Sequence, residues 1–193
     1  MTRSKLGILL TAFVLLIPCG LARAQVGPRE EIPFVPTPLE VIDRMLELAE
    51  VKQGDVVYDL GSGDGRIVIR AAQKYGVRAV GIEMDTLLID KARKEAKAAG
   101  VSHLAQFRKE DAMKVDLTQA TVVTLYMLPW FNEAMKPSFK KYLKPGSRIV
   151  AHDFGIEGWQ PDKTEKFSQP EKKTGGYLHY HTIHLWRVGK DGM

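Results

Sequence analysis

The sequence holds a single cysteine, Cys19, which lies near its start. From Gln25 onward there is none, so the body of the chain has no disulfide, no thiol nucleophile and no cysteine-based zinc site. A surplus of one charge is also missing there. The whole chain carries +5, but Arg3, Lys5 and Arg23 stand in an opening segment without acids, and the remainder sets 25 basic against 23 acidic residues. That balance gives no support to a nucleic-acid partner. There is no internal repeat and no low-complexity tract. At 193 residues the chain suits one domain with a sizeable core and is short for two.

Arg3 and Lys5 precede an apolar run from Leu6 to Ile17, and Leu21-Ala22-Arg23-Ala24-Gln25 follows with small residues. Basic, apolar, then Ala-x-Ala is the order of a secretory signal cleaved after Ala24. A second reading is an uncleaved anchor, since residues 6–22 make a mostly apolar stretch of roughly 17, at the short edge of a membrane span. A lipoprotein site at Cys19 is disfavoured because Pro18 stands where a small residue is wanted. With Arg3 and Lys5 kept inside, the expectation is an exported domain, periplasmic or secreted, or one held at the membrane through residues 6–22. Residues 25–36 are proline-rich and read as an extended lead-in, leaving 37–193 as the folded domain.

Thr37 stands where a helix cap would, with Pro38 at the first helical position and Glu40 where a capping box wants it. Val41, Met45, Leu48 and Ala49 then recur at helical spacing. Strands are expected at Val56 to Leu60, Arg78 to Glu83, Ala105 to Asp111, Thr121 to Met127 and Arg148 to Phe154. Between them lie helical stretches from Arg66 to Tyr75, Thr86 to Ala99, and Pro129 to Leu143 with a break near Pro137. The tail departs from this alternation: Thr164 to Ser168, a Gly175-Gly176 turn, and Tyr177 to Val188 read as a hairpin. The pattern predicts an α/β fold, a doubly wound, mostly parallel seven-stranded sheet ending in an antiparallel hairpin.

The stretch Asp59-Leu60-Gly61-Ser62-Gly63-Asp64-Gly65-Arg66 puts glycine at every second position between a strand and a helix. Bare backbone at such a place lets a ligand approach the N–H groups that open the helix. A dinucleotide fingerprint would want glycine where Arg66 stands, and a P-loop would want Lys followed by Ser or Thr. Asp59 opposes a pyrophosphate and welcomes an ammonium. The loop therefore suits a nucleoside bearing an amino acid.

These residues carry a resemblance. Asp59-x-Gly61-x-Gly63-x-Gly65 resembles the first motif of class I S-adenosylmethionine-dependent methyltransferases. Glu83 resembles the acid with which those enzymes hold both ribose hydroxyls, and Asp111, with Ala112 beside it, their adenine-contacting acid. "FVPTP", "DLGSGDGRIVI", "GIE" and "HDF" followed by a Trp-x-Pro narrow it. They are similar to the small lysine methyltransferases of the ATP synthase c subunit and the adenine nucleotide translocase, and to their bacterial relatives. The likeness covers Phe34 to Pro161. It implies a Rossmann-like domain using S-adenosyl-L-methionine, bound by Thr37, Asp59, Gly61, Ser62, Gly63, Gly65, Glu83, Met84, Asp111 and Ala112. It implies Tyr126, Pro129 and Asp153 as catalytic residues and a protein lysine as methyl acceptor. The fourth-strand "LYMLPW" lacks the Asp-Pro-Pro-Tyr or Asn-Pro-Pro-Tyr that methylation of base amino groups uses.

Local alternatives stay open. Thr37 is either a helix cap or a residue closing over the methionine end of the cofactor, and a one-residue shift would exchange Asp111 with Glu110. Tyr126, Leu128, Pro129 and Trp130 either pack under the next helix or offer aromatic faces to a cation, worth roughly 0.5 to 2 kcal/mol. His179, His181 and His184, with His152, invite a metal, but on a strand His179 and His181 share a face that His184 does not, so no metal is expected. The implied reaction is direct methyl transfer to a neutral lysine, with Asp153 a conceivable proton acceptor. The other readings are a domain that binds S-adenosylmethionine without turnover and a methyltransferase acting on a small molecule.

Overall fold

The computed structural model describes residues 33–170 and 178–189; the opening segment and the expected Gly175-Gly176 turn lie outside them. The elements run α1 (Leu39–Leu48), β1 (Val56–Leu60), α2 (Arg66–Tyr75), β2 (Arg78–Glu83), α3 (Thr86–Ala98), β3 (Ala105–Lys109), β4 (Val122–Leu125), α4 (Pro129–Ala134), α5 (Lys136–Tyr142), β5 (Arg148–His152), β6 (Lys163–Pro170) and β7 (Leu178–Arg187). They build one seven-stranded sheet in the order β3-β2-β1-β4-β5-β7-β6. β1 to β5 are parallel, while β7 runs antiparallel to both β5 and β6. The chain leaves β3 at one edge and re-enters beside β1 as β4, so the direction of winding reverses between β1 and β4. Open α/β sheets bind ligands at that reversal, beyond the carboxyl ends of the strands.

The central strands are buried on both faces, which is why they read as nearly continuous apolar runs. Alternate residues divide between two layers. Val57, Ala79, Val122, Val150 and Ile183 pack with α1, α2 and α3, whereas Tyr58, Val80, Val123, Ile149 and Trp186 pack with the Phe131, Met135 and Phe139 side. α2 stops at Gly76, left-handed at φ 63° with its N–H on the Ala72 carbonyl, and Asp85 caps α3 by accepting the Leu87 N–H at 2.7 Å.

The capping box expected at Thr37 is absent. Pro38 is the N-cap of α1, no described side chain caps the helix, and Thr37 is buried with its carbonyl accepting from Arg66 Nη1 at 3.0 Å. The tertiary bond to Arg66 takes the turn that a local cap would have used. Among the described residues no helix is long and apolar enough to cross a membrane, and residues 6–22 lie outside them.

Candidate active site

The glycine loop is tied to its neighbour strand before any ligand is considered. The Gly61 and Ser62 N–H groups both donate to the Ile82 carbonyl, at 2.9 and 3.0 Å. Glu83, the last residue of β2, accepts from Gly63 N–H at 2.9 Å on one oxygen and from Met84 and Asp85 N–H at 2.7 and 3.0 Å on the other. Gly61 and Gly63 sit at φ 76° and 52°, and a Cβ on either would come within 2.5 Å of Met127 Sδ or of the Phe34 ring. Only glycine suits both positions.

Asp59 sits under this loop, 2% exposed, with Thr124 Oγ1 donating to its Oδ1 at 2.6 Å. Burial pushes its carboxyl up to about 7; the Thr124 bond works against that rise, while the charges of Glu83 and Asp64 add to it. At neutral pH the group is poised to ionise for an arriving cation. Asp64, between Gly63 and Gly65 of the same loop, is handled otherwise. Burial would raise it, but Arg66 grips it with two bonds at 2.9 and 2.8 Å and Lys91 adds a third at 3.1 Å, so its carboxyl lies below the usual range. The Ser62 hydroxyl is buried with no hydrogen-bond partner among the described residues.

Asp111 follows β3 and opens a turn, its Oδ1 accepting Met113 N–H at 2.9 Å, while Glu110 N–H donates to the Glu83 carbonyl at 3.1 Å. Ala112 beside it is buried, and Met84 is largely exposed. Asp59, Glu83 and Asp111 thus stand at the carboxyl ends of three neighbouring strands.

A second group gathers at the ends of β4 and β5. The Tyr126 ring lies 4.0 Å from the His152 ring and 6.5 Å from Phe154, centre to centre. Burial, then the Asp153 charge, holds the Tyr126 phenol above its ordinary value. Asp153 adopts a left-handed φ of 59° and exchanges two bonds with Thr182, its Oδ1 accepting Thr182 N–H at 2.9 Å. Pro129 opens α4, and buried Asn132 on that helix donates to the Phe154 and Gly155 carbonyls at 3.1 and 3.2 Å, fixing the loop after β5. His152 Nε2 lies 3.0 Å from His181 Nδ1. His184 faces away and meets Thr164, as strand alternation requires.

Comparison with known proteins decides the family. A model of the ANTKMT methyltransferase domain matches residues 59–163. A protein-lysine N-methyltransferase of Saccharolobus islandicus is 42% identical over 160 residues, covering 82% of this chain and 95% of that one. The chain belongs to the ANTKMT methyltransferase family.

Like other members of this family it is an S-adenosylmethionine-dependent methyltransferase. A human lysine N-methyltransferase of the ATP synthase c subunit is 33% identical, covering 83% of this chain and 70% of that one. The crystal structure of an RNA methyltransferase from Salinibacter ruber, in complex with S-adenosyl-L-homocysteine, superposes with a TM-score of 0.72 at 49% identity, covering 81% of this chain and 95% of that one. The residues here fit such a cofactor on their own terms. The left-handed glycines and a buried carboxyl with no cation beside it among the described residues are what an adenosyl amino acid would satisfy.

Sequence reasoning missed Thr124, Asn132 and the place of Asp153 beside the His152–His181 pair. Thr124 had a signal, a lone polar residue in the apolar run of β4; the other two join residues far apart in the chain. A cleft of about 560 Å³ lined by Asp55, Arg78, Lys144 and Arg148 lies at the opposite, amino-terminal edge of the strands, away from all these groups.

Proposed function

We propose that this chain methylates lysine side chains of a protein by direct transfer, with the cofactor held by Asp59, the glycine loop, Glu83 and Asp111. The observation that carries it is the buried Asp59 carboxyl, which has one hydroxyl partner and no cation among the described residues. In this reading Asp59 takes the amino group of the cofactor's methionine end. Glu83 already accepts three N–H bonds, so about one of its four acceptor positions is left, for one ribose hydroxyl where the resemblance implied both. Thr37, Ser62, Met84, Asp111 and Ala112 complete the cofactor side. When bound, S-adenosylmethionine supplies a sulfonium methyl group. The protein's own part is to orient and to exclude water: Tyr126 and Pro129 border the acceptor nitrogen, and the lysine sheds its proton to water or to Asp153. Holding the partners in line is worth up to roughly 7 to 11 kcal/mol, which needs no covalent enzyme intermediate.

The relatives' names divide between protein lysine and RNA. Lysine is favoured here by the near-balanced charge after residue 24 and by "LYMLPW" in place of a base-methylating motif. The test is transfer of a radiolabelled methyl group from S-adenosylmethionine to a protein extract and, separately, to total RNA. Label recovered as methylated lysine supports the reading. Label in RNA alone overturns the acceptor assignment, and tight S-adenosylhomocysteine binding with no labelled product favours a binding domain. Residues 1–24 we read as an export signal or anchor, supported by their basic, apolar, Ala-x-Ala order. Alkaline phosphatase fused after Met193 checks that: activity places the domain outside, and its absence with an active cytosolic reporter sinks the export reading.

A further inference from the structure

At the end of β5, three side chains from two adjacent strands converge. His152 Nε2 is 3.0 Å from His181 Nδ1 and 3.3 Å from Asp153 Oδ2, and the three residues' ligand atoms all lie within 4.8 Å of one another. We propose that His152, His181 and Asp153 form a binding site for a divalent transition-metal ion.

The spacing is the first reason. Zinc bonds its nitrogen and oxygen ligands at about 2.0 to 2.2 Å, so two ligands of one tetrahedral ion stand roughly 3.3 to 3.6 Å apart. The His152–Asp153 pair is at that separation, and the His152–His181 pair, hydrogen-bonded at 3.0 Å, is a few tenths of an ångström short of it. The backbone is the second. Asp153 is held in a left-handed conformation uncommon for a residue with a side chain, and Thr182 N–H occupies its Oδ1, which leaves Oδ2 toward the imidazoles. An outer hydrogen bond that aims a ligating carboxylate is a usual companion of a metal site. The walls are the third. The Tyr126 and Phe167 rings lie 4.0 and 5.5 Å from the His152 and His181 rings, so the two buried imidazoles have aromatic walls while the Asp153 side chain, 25% exposed, opens the site to solvent.

Two imidazoles and one carboxylate suit zinc, cobalt, nickel or copper better than magnesium or calcium, which take oxygens. Three protein ligands leave a fourth position open. His152 Nδ1 limits the affinity. It is buried with no hydrogen-bond partner among the described residues, and a ligating histidine without that outer partner binds about 10 to 100-fold more weakly. The affinity should therefore be micromolar and not that of a structural zinc centre. Bound metal would clamp β5 to β7 beside Tyr126 and take Asp153 out of proton transfer, leaving water as the acceptor. The site itself does not rest on methyl transfer; only the consequence for Asp153 rests on the function proposed above.

The test is titration of the chelator-treated full chain with Zn²⁺ by calorimetry, and with Co²⁺ by its visible absorption. Uptake of about one equivalent, weakened at least tenfold by His181→Ala and by Asp153→Asn and unchanged by His184→Ala, is expected. Asparagine tolerates the left-handed backbone, so the second variant keeps the test alive should the first fail to fold. S-adenosylhomocysteine binding by His181→Ala reports its folding separately. No uptake, or uptake equal in wild type and both variants, would overturn the site.

Discussion

Two aspartates bracket β1, and the protein treats them in opposite ways. Asp55, at the amino-terminal edge and 7% exposed, accepts from Arg148 Nη2 at 2.5 Å, from Thr121 Oγ1 at 2.7 Å and from Lys52 N–H at 2.9 Å. Burial would raise its carboxyl, yet these partners hold it below the ordinary range. Asp59, at the carboxyl-terminal edge and 2% exposed, has Thr124 as its one partner among the described residues and rises to about 7. Asp55 is satisfied within the fold and Asp59 is not. A buried carboxylate costs stability unless it is paired, so the one left short of a cation marks the edge where a ligand supplies it. The cleft lined by Asp55 and Arg148 lies at the satisfied end, so a cleft alone does not mark this site.

The sharpest way to break the comparison is to exchange the outcomes. Asp55→Asn takes the counter-charge from the Arg148 guanidinium, 13% exposed as a side chain and left with the Ala49 and Gly146 carbonyls, and should lower stability by about 3 kcal/mol in chemical denaturation while the folded protein binds cofactor as before. Asp59→Asn should do the reverse, weakening S-adenosylhomocysteine by roughly 10 to 100-fold, the worth of a charged hydrogen bond, with stability at pH 7 unchanged or higher.

A pH series sharpens the same contrast. Between the unfolded value of 3.8 and the folded value of about 7, Asp59 is protonated in the native state and ionised in the unfolded one. The native state then binds one more proton, so stability falls as pH rises through that window, by about 1.4 kcal/mol per unit, and flattens above it. Subtracting the Asp59→Asn curve isolates this slope; a flat difference would contradict the raised carboxyl. The smallest effect is expected from Thr124→Val, which removes the hydroxyl donor to Asp59. Its cofactor affinity at pH 7 should drop by about 1 kcal/mol, roughly fivefold, and the loss should shrink as pH is raised and the carboxyl ionises.

Much of this was legible in the sequence, and the boundary has a physical reason. The β1 apolar run, the glycines of its loop and the acid closing β2 are local features, and period and spacing report local structure faithfully. β3 and β4 are shorter than expected because a strand ends where its partner does, which the run of apolar residues does not encode, and β5 stops at His152, short of the expected Phe154, because Asp153 turns left-handed. Thr37-Pro38-x-Glu40 has the letters of a capping box, yet Arg66, distant in sequence, takes the Thr37 carbonyl and the cap never forms. The partner of Asp59 was illegible for the same reason, since Thr124 reaches it only through the strand order. Strand alternation correctly sets His184 apart, but it groups His179 with His181 and says nothing of Asp153.

One calorimetric titration tests the role of Asp59 most directly, S-adenosylhomocysteine into the wild type, Asp59→Asn and Asp55→Asn at a pH of about 7.5, above the folded value of the Asp59 carboxyl. Micromolar binding that Asp59→Asn weakens at least tenfold, and that folded Asp55→Asn retains, is the predicted result. Equal binding by wild type and Asp59→Asn would contradict the claim that the unsatisfied carboxyl holds the cofactor.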